Sequence, residues 1–297
     1  MQKNLIFSIL IVIAMAFWGS SWACGKVLVQ YASADIIAFW RFFFAFIASI
    51  PLIMLLKVPL RINTENLKFL LVAACLNGIY SIFFFMGLNY GSAGKGGVLV
   101  TTLIPIFAYL LAYFFSRKEN KSIKANEILG LGIGIISGIC LLDLGGFEEL
   151  FGKFNTFFLF CALDWAILTL VCQRIRIHPL AINFYITFLS MLFYSPLFFF
   201  KPQMLEIFHY DMKFWSMIFV VAVLSTAIGT SIYYMGIAKL GATRASSYQL
   251  LVPAMALGSS YLILGEIPSL LTIFGGILAI FATYLINIHK PKKIGQV

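Results

Sequence analysis

Ser81-Ile82-Phe83-Phe84-Phe85-Met86-Gly87 recurs further along the chain as Thr230-Ser231-Ile232-Tyr233-Tyr234-Met235-Gly236. After each copy a glycine (Gly91, Gly241) precedes a new apolar run, and a proline (Pro105, Pro253) lies inside that run. A glutamate follows each proline at nearly equal distance, Glu119 and Glu266. Beyond these, Gly130, Gly134 and Gly138 match Gly275, Ala279 and Thr283 at one constant offset. Each copy thus carries a stripe of small residues at four-residue spacing, which lets apolar helices approach closely. The chain reads as two copies of one unit, residues 1–144 and 145–297.

Of the 297 residues 62% are hydrophobic and only 11% charged, which excludes a water-soluble globule. Apolar runs fall at 5–25, 35–56, 67–89, 94–116, 126–144, 154–173, 180–200, 214–238, 243–264 and 268–288. Each is near the length of about 20 residues that crosses a hydrocarbon core as a helix. A closed strand barrel would show alternating segments of about ten residues instead. The expectation is an all-α integral membrane protein with ten transmembrane helices. The first run lacks a convincing cleavage site and is read as a retained span. The five cysteines (Cys24, Cys75, Cys140, Cys161, Cys172) lie in or at the ends of apolar runs, so no disulfide framework is implied.

The net charge of +10 falls between the apolar runs, where it reports orientation rather than a nucleic-acid partner. With the N-terminus in the cytoplasm and Arg41 in the membrane, 15 basic residues lie on the cytoplasmic side and five on the other. Both termini are then cytoplasmic. Five spans per copy is an odd number, so the second copy enters the bilayer from the opposite side and the repeats are inverted. Inverted repeats place a substrate site near mid-membrane at their interface, open to one side at a time.

Trp18-Gly19-Ser20-Ser21, Trp40-Arg41-Phe42, and Gly-Ala-Thr-Arg-Ala at 241–245 leading to Pro253 and Gly265-Glu266 resemble the EamA-type family of drug/metabolite transporters. The resemblance covers essentially the whole chain. It implies an inner-membrane permease, often an exporter of amino acids or other small metabolites, with spans 1–4 and 6–9 around a central cavity and spans 5 and 10 at the periphery. The first copy departs from the pattern at Arg117-Lys118-Glu119, where the second has Gly265-Glu266.

Arg41 lies about six residues into the second span, where facing lipid costs about 2.5 kcal/mol or more, so it is expected to face protein or water. Its planar guanidinium suits a substrate carboxylate or a structural anchor near the interface. Asp164, midway along the sixth span, suits proton coupling, a substrate amine, or a hydrogen bond that fixes packing. Trp18 and Trp165 hold related places in the two copies. With Trp22, Tyr80, Tyr185 and Tyr248 they are polar-tipped aromatics that fill the core and interfacial belts or line a cavity, where they favour apolar, aromatic or amine-bearing solutes. Gln249, Asn77 and Asn183 are further intramembrane polar groups. Pro105 and Pro253 each remove a helical hydrogen bond, so their spans carry either gates or static kinks. Lys95, in Gly94-Lys95-Gly96-Gly97, joins a cation to helix-end amides, a place for an anionic group or a solvated lysine. The small-residue stripes of spans 5 and 10 are expected to serve packing or a homodimer contact.

His178, His209 and His289 all fall in loops or at span ends, and no ATP-binding motif is found. No metal site, cofactor or catalytic set is expected. Uphill movement would then draw on an ion or solute gradient, with Asp164 as the proton site. These residues point to a multi-pass transporter that exports amino acids or related amine-bearing metabolites across the inner membrane by alternating access. An importer of a vitamin or nucleoside-like compound stays open, because such a cavity has no built-in direction. An intramembrane enzyme and a non-transporting sensor are the competing classes; the first lacks a clustered acid–base set, and the second requires binding without counterflow.

Overall fold

The computed structural model describes residues 2–115, 125–142, 152–240 and 248–287, and all regular structure among them is helical. The first half contributes α1 (Gln2–Leu28), α2 (Ala34–Leu55), α3 (Thr64–Tyr90), α4 (Ala93–Phe115) and α5 (Ala125–Leu142). The second contributes α6 (Lys153–Cys172), α7 (Pro179–Tyr194), a composite α8, α9 (Val252–Leu264) and α10 (Leu270–Asn287). α8 begins as α-helix (Met212–Ile218), widens into a π-helix (Phe219–Gly229) and returns to α-helix (Thr230–Leu240). Six stretches are long and apolar enough to cross a membrane: Ile6–Leu28, Ala34–Leu55, Thr64–Tyr90, Asn155–Cys172, Pro179–Phe200 and Met212–Gly236. The apolar parts of α4, α5, α9 and α10 are shorter among the described residues. Large apolar side chains such as Ile135, Leu262, Leu270 and Ile277 point outward, as a hydrocarbon solvent permits.

Two runs break up. The run at 180–200 divides because Pro196 lacks an amide hydrogen: α7 ends at Tyr194 and only a single turn, Leu197–Phe200, follows. In the run at 243–264, a 3₁₀ turn (Tyr248–Leu251) leads into α9. Glu119 and Gly241, on which the repeat reading drew, lie outside the described residues.

Packing partners exchange between the halves. α1 lies on α9 as α6 lies on α4, α3 on α6 as α8 on α1, and α2 on α8 as α7 on α3; α2 with α7, α4 with α9 and α5 with α10 close the set. Glycine permits the tightest approach. A Cβ on Gly19 would stand 2.7 Å from the Met255 carbonyl carbon and 2.8 Å from the Ala256 nitrogen, so α1 and α9 meet backbone to backbone. α5 and α10 pack on one another within the chain, where Ser137 Oγ donates to the Gly275 carbonyl at 2.8 Å, and Gly134 of α5 admits Ile106 of α4.

At the end of the molecule where α1 meets α2, polar ties join the halves. Lys201 pairs with Asp35 at 2.5 Å, and the Tyr31 hydroxyl donates to Asp211 Oδ1 at 2.8 Å. The Phe214 amide, donated at the start of α8, and Tyr31 hold the Asp211 carboxyl below the usual range, and Asp211 pushes the Tyr31 hydroxyl up. Gly265, at φ 69°, ends α9 in the left-handed conformation that glycine tolerates. Glu266 then accepts from the Ala93 and Gly94 amides of α4, each at 3.0 Å. A carboxylate on the first amides of a helix satisfies orphan donors and the helix dipole together.

Candidate functional site

A small, partly open cavity of about 70 Å³ lies between the halves. Trp18, Ser21 and Trp22 come from α1, Arg41 from α2, Tyr80 from α3, Thr101 and Ile104 from α4, and Trp165 from α6. Ser225 and Thr230 of α8, Gln249 of the 3₁₀ turn and Val252 of α9 complete the wall. Among the described residues α5 and α10 supply none of this lining; α7, which the family resemblance placed around the cavity, supplies none either, its Asn183 instead contacting the Thr226 carbonyl of α8.

Three positions of the Trp-Gly-Ser-Ser motif have distinct roles. Trp18 and Ser21 face the cavity, with the Ser21 hydroxyl donating back to the Trp18 carbonyl at 2.6 Å. Between them Gly19 admits α9, whose Ser259 donates to the Gly19 carbonyl at 3.1 Å. The aromatic wall is built of pairs. Trp165 lies 4.6 Å from Tyr80, Trp18 5.0 Å from Tyr233, and Trp22 4.7 Å from Phe84, ring centre to ring centre.

Arg41 is buried, and its guanidinium carbon sits 5.7 Å from the Phe84 ring centre. Its Nε donates to Thr226 Oγ1 at 3.0 Å, its one hydrogen bond among the described residues, and Nη1 is buried without a partner. No described carboxylate lies within ion-pair distance. The arrangement is a cation held at a cavity wall by one edge, with donors left over.

Trp18, Arg41, Tyr80, Trp165 and Gln249 thus come together around one space. Three expected members do not. Asp164 is buried and not among the lining residues, makes no described ion pair with Arg41, and keeps Oδ2 without a partner. Tyr185 turns away from the cavity because its hydroxyl donates to the Leu60 carbonyl at 2.7 Å, tying α7 to the loop between α2 and α3. Tyr248 packs into the Ile11, Met15 and Ile232 cluster, leaving the cavity to its neighbour Gln249. Pro253 is not an interior helix breaker: it sits in the first turn of α9, where an amide hydrogen is not needed. Pro105 lies within α4, and its side chain is outside the described residues. The helix-end amides beside Lys95 are occupied by Glu266, so they are not free for an anionic solute.

Sequence reasoning passed over Thr226, Ser225 and Thr230. A hydroxyl in an apolar helix carries a weak signal, since it can bond its own backbone. The repeat gives a better one: Thr226 stands to Asn77 at the 149-residue spacing that relates Thr230 to Ser81. Asn77 Nδ2 in turn donates to Ser190 Oγ at 3.3 Å, and Ser190 stands to Arg41 at that same spacing.

The sequence profile of the EamA-like transporter family matches residues 5–142 and again residues 153–288. Among curated proteins, the chain is 23% identical over 291 residues to the uncharacterized transporter YetK of Bacillus subtilis, covering 94% of this chain and 86% of that one. An uncharacterized transporter of Archaeoglobus fulgidus is 24% identical, with 94% and 97% covered. YoaV of Bacillus subtilis, also an uncharacterized transporter, is 27% identical, with 88% and 89% covered. A solved crystal structure superposes with a TM-score of 0.69 over 97% of this chain and 99% of that chain at 13% identity, a likeness of fold. With its two matched repeats and a cavity lined from both, the chain belongs to the EamA-like transporter family of membrane proteins.

Proposed function

We propose that this transporter moves amino acids and related metabolites that carry a carboxylate and an amine, exporting them across the cytoplasmic (inner) membrane. The observation that carries the reading is Arg41, a buried guanidinium at the cavity wall with one hydrogen bond and an unpartnered Nη1. Burying a cation without a counter-charge costs several kcal/mol, on the order of 3–5 when one partner of a pair is removed. A solute carboxylate supplies the missing charge and accepts the paired donors of the guanidinium. The faces of Trp18, Trp165 and Tyr80 give the solute's amine a cation–π surface.

Movement is by alternating access between residues 1–144 and 145–297, inserted in opposite senses with ten spans and both termini in the cytoplasm. The exchange of packing partners between the halves supports this arrangement. Asp164, buried one residue from a cavity-lining tryptophan, is the proton-coupling group. A homodimer through α5 and α10 would use their outward apolar faces, since the two helices already pack on each other inside the chain.

The test is counterflow in proteoliposomes with a panel of amino acids, their carboxamides and the corresponding amines. Saturable exchange of unmodified amino acids, lost in Arg41→Gln, supports the reading; equal exchange of acids and amides overturns it. A second reading, import of a vitamin or nucleoside-like compound, draws on the same aromatic wall as a stacking platform for a planar ring. It predicts exchange of such compounds that survives Arg41→Gln.

A further inference from the structure

Arg41 reaches the cavity from α2, but what aims it belongs to the other half. Thr226 lies in the π-helical stretch of α8 and is buried. Its hydroxyl donates to the Val221 carbonyl at 2.8 Å, five residues back rather than the four of an α-helix. A hydroxyl has a single proton, so the proton is committed to Val221 and only lone pairs face Arg41 Nε at 3.0 Å. Thr230 repeats the pattern toward Ser225 at 3.4 Å, and both of these line the cavity. From behind, Asn183 of α7 donates Nδ2 to the Thr226 carbonyl at 3.0 Å and holds the widened turn in place. A π-helix is rare and poorly bonded, and this one is supported by side chains where it meets the guanidinium.

We propose that Thr226 is a positioning residue: its hydroxyl oxygen holds Arg41 by Nε, fixing the plane of the guanidinium so that its remaining donors meet a solute carboxylate in the cavity. This rests on the carboxylate reading of Arg41 above. Asn183 and the π turn serve the same end by setting the Thr226 backbone.

The experiment compares wild type, Thr226→Val, Thr226→Ser and Arg41→Gln in proteoliposomes. Counterflow of L-leucine and L-phenylalanine is measured against their carboxamides. Thr226→Val keeps the volume of the side chain and removes the acceptor. The expected result is a preference for the acids over the amides that falls about tenfold through KM, with amide flux unchanged and the preference restored by Thr226→Ser. Nitrogen-15 NMR of arginine-labelled protein provides a readout without solute: Arg41 Nε–H is protected from exchange in wild type and Thr226→Ser and loses that protection in Thr226→Val. An unchanged preference or unchanged protection in Thr226→Val overturns the positioning role while leaving the carboxylate reading intact. If Arg41→Gln does not alter the acid-to-amide preference, or the wild type shows none, the carboxylate reading fails and the proposal fails with it.

Discussion

The two halves make one cross-contact twice, with different chemistry. On one side Arg41 of α2 donates to Thr226 of α8; on the other, Asn77 of α3 donates to Ser190 of α7. Ser190 stands to Arg41 as Thr226 stands to Asn77, at the spacing of the repeated Ser81 and Thr230 motifs. Ser190 is closed off inside the protein, since it accepts from Asn77 and donates to the Ala74 carbonyl at 3.0 Å. Arg41 has more donors than Thr226 can accept, and its Nη1 is left buried and unpartnered beside the cavity. Asp164 shows the same asymmetry. Trp18 and Trp165 are related in the repeat, so the residue before each is comparable, and there the first half has Phe17 where the second has Asp164. Neither buried charge has a charged counterpart in the other half. The repeat builds the contact, and departures from the repeat give the site its polarity.

Making the halves alike tests this most severely. Arg41→Ser is expected to lower flux of carboxylate-bearing solutes about 100-fold, the loss of about 3 kcal/mol of charge-assisted hydrogen bonding, with amide flux little changed. An equal loss for both solutes would make Arg41 a structural element. Gly19→Ala imitates the second half, where Ala166 follows Trp165. Because the new Cβ meets the Met255 and Ala256 backbone, it should cost about 1–3 kcal/mol, read as a lower melting temperature in detergent. A melting temperature matching wild type would show that α1 and α9 can separate freely there. Asp164→Asn should keep counterflow but abolish uptake driven by an imposed pH gradient; persistent gradient-driven uptake removes Asp164 from coupling.

Ser190→Ala, at the quiet counterpart of Arg41, should cost about 1 kcal/mol of stability through the unsatisfied Asn77 amide, without changing solute preference. The smallest effect is at the polar ties. The Asp211 carboxyl is held below its ordinary value, so the stability it contributes is fully present above the unfolded value of about 3.9 and is lost as pH falls through the folded one. The melting temperatures of wild type and Asp211→Asn should converge in that acid range, and a constant gap would assign the tie another role.

The helical membrane fold and the doubling of the unit were legible in the chain because both rest on long runs of residue type and on spacing. Five of the eight expected binding residues line the cavity. Trp18, Arg41, Tyr80, Trp165 and Gln249 are polar or polar-tipped groups in apolar runs, and such groups must face protein or a cavity. The same argument could not separate Asp164, Tyr185 and Tyr248, which obey it by burial or by a backbone partner instead. The place of Pro253 in the first turn of α9 was not legible for a related reason: where a helix begins depends on the turn before it, not on the proline alone.

Residue chemistry by itself determined that this chain lives in a bilayer as helices, in two related halves, because hydrocarbon leaves the backbone no other partner over such lengths. Tertiary structure alone decided which polar groups share a space. The π-helical turn that brings Thr226 to Arg41, the glycine contact that sets α1 on α9, and the capture of the α4 amides by Glu266 each join residues far apart in the chain. Such meetings depend on how helices pack and rotate against one another, to which the order of residues along a single helix gives no direct access.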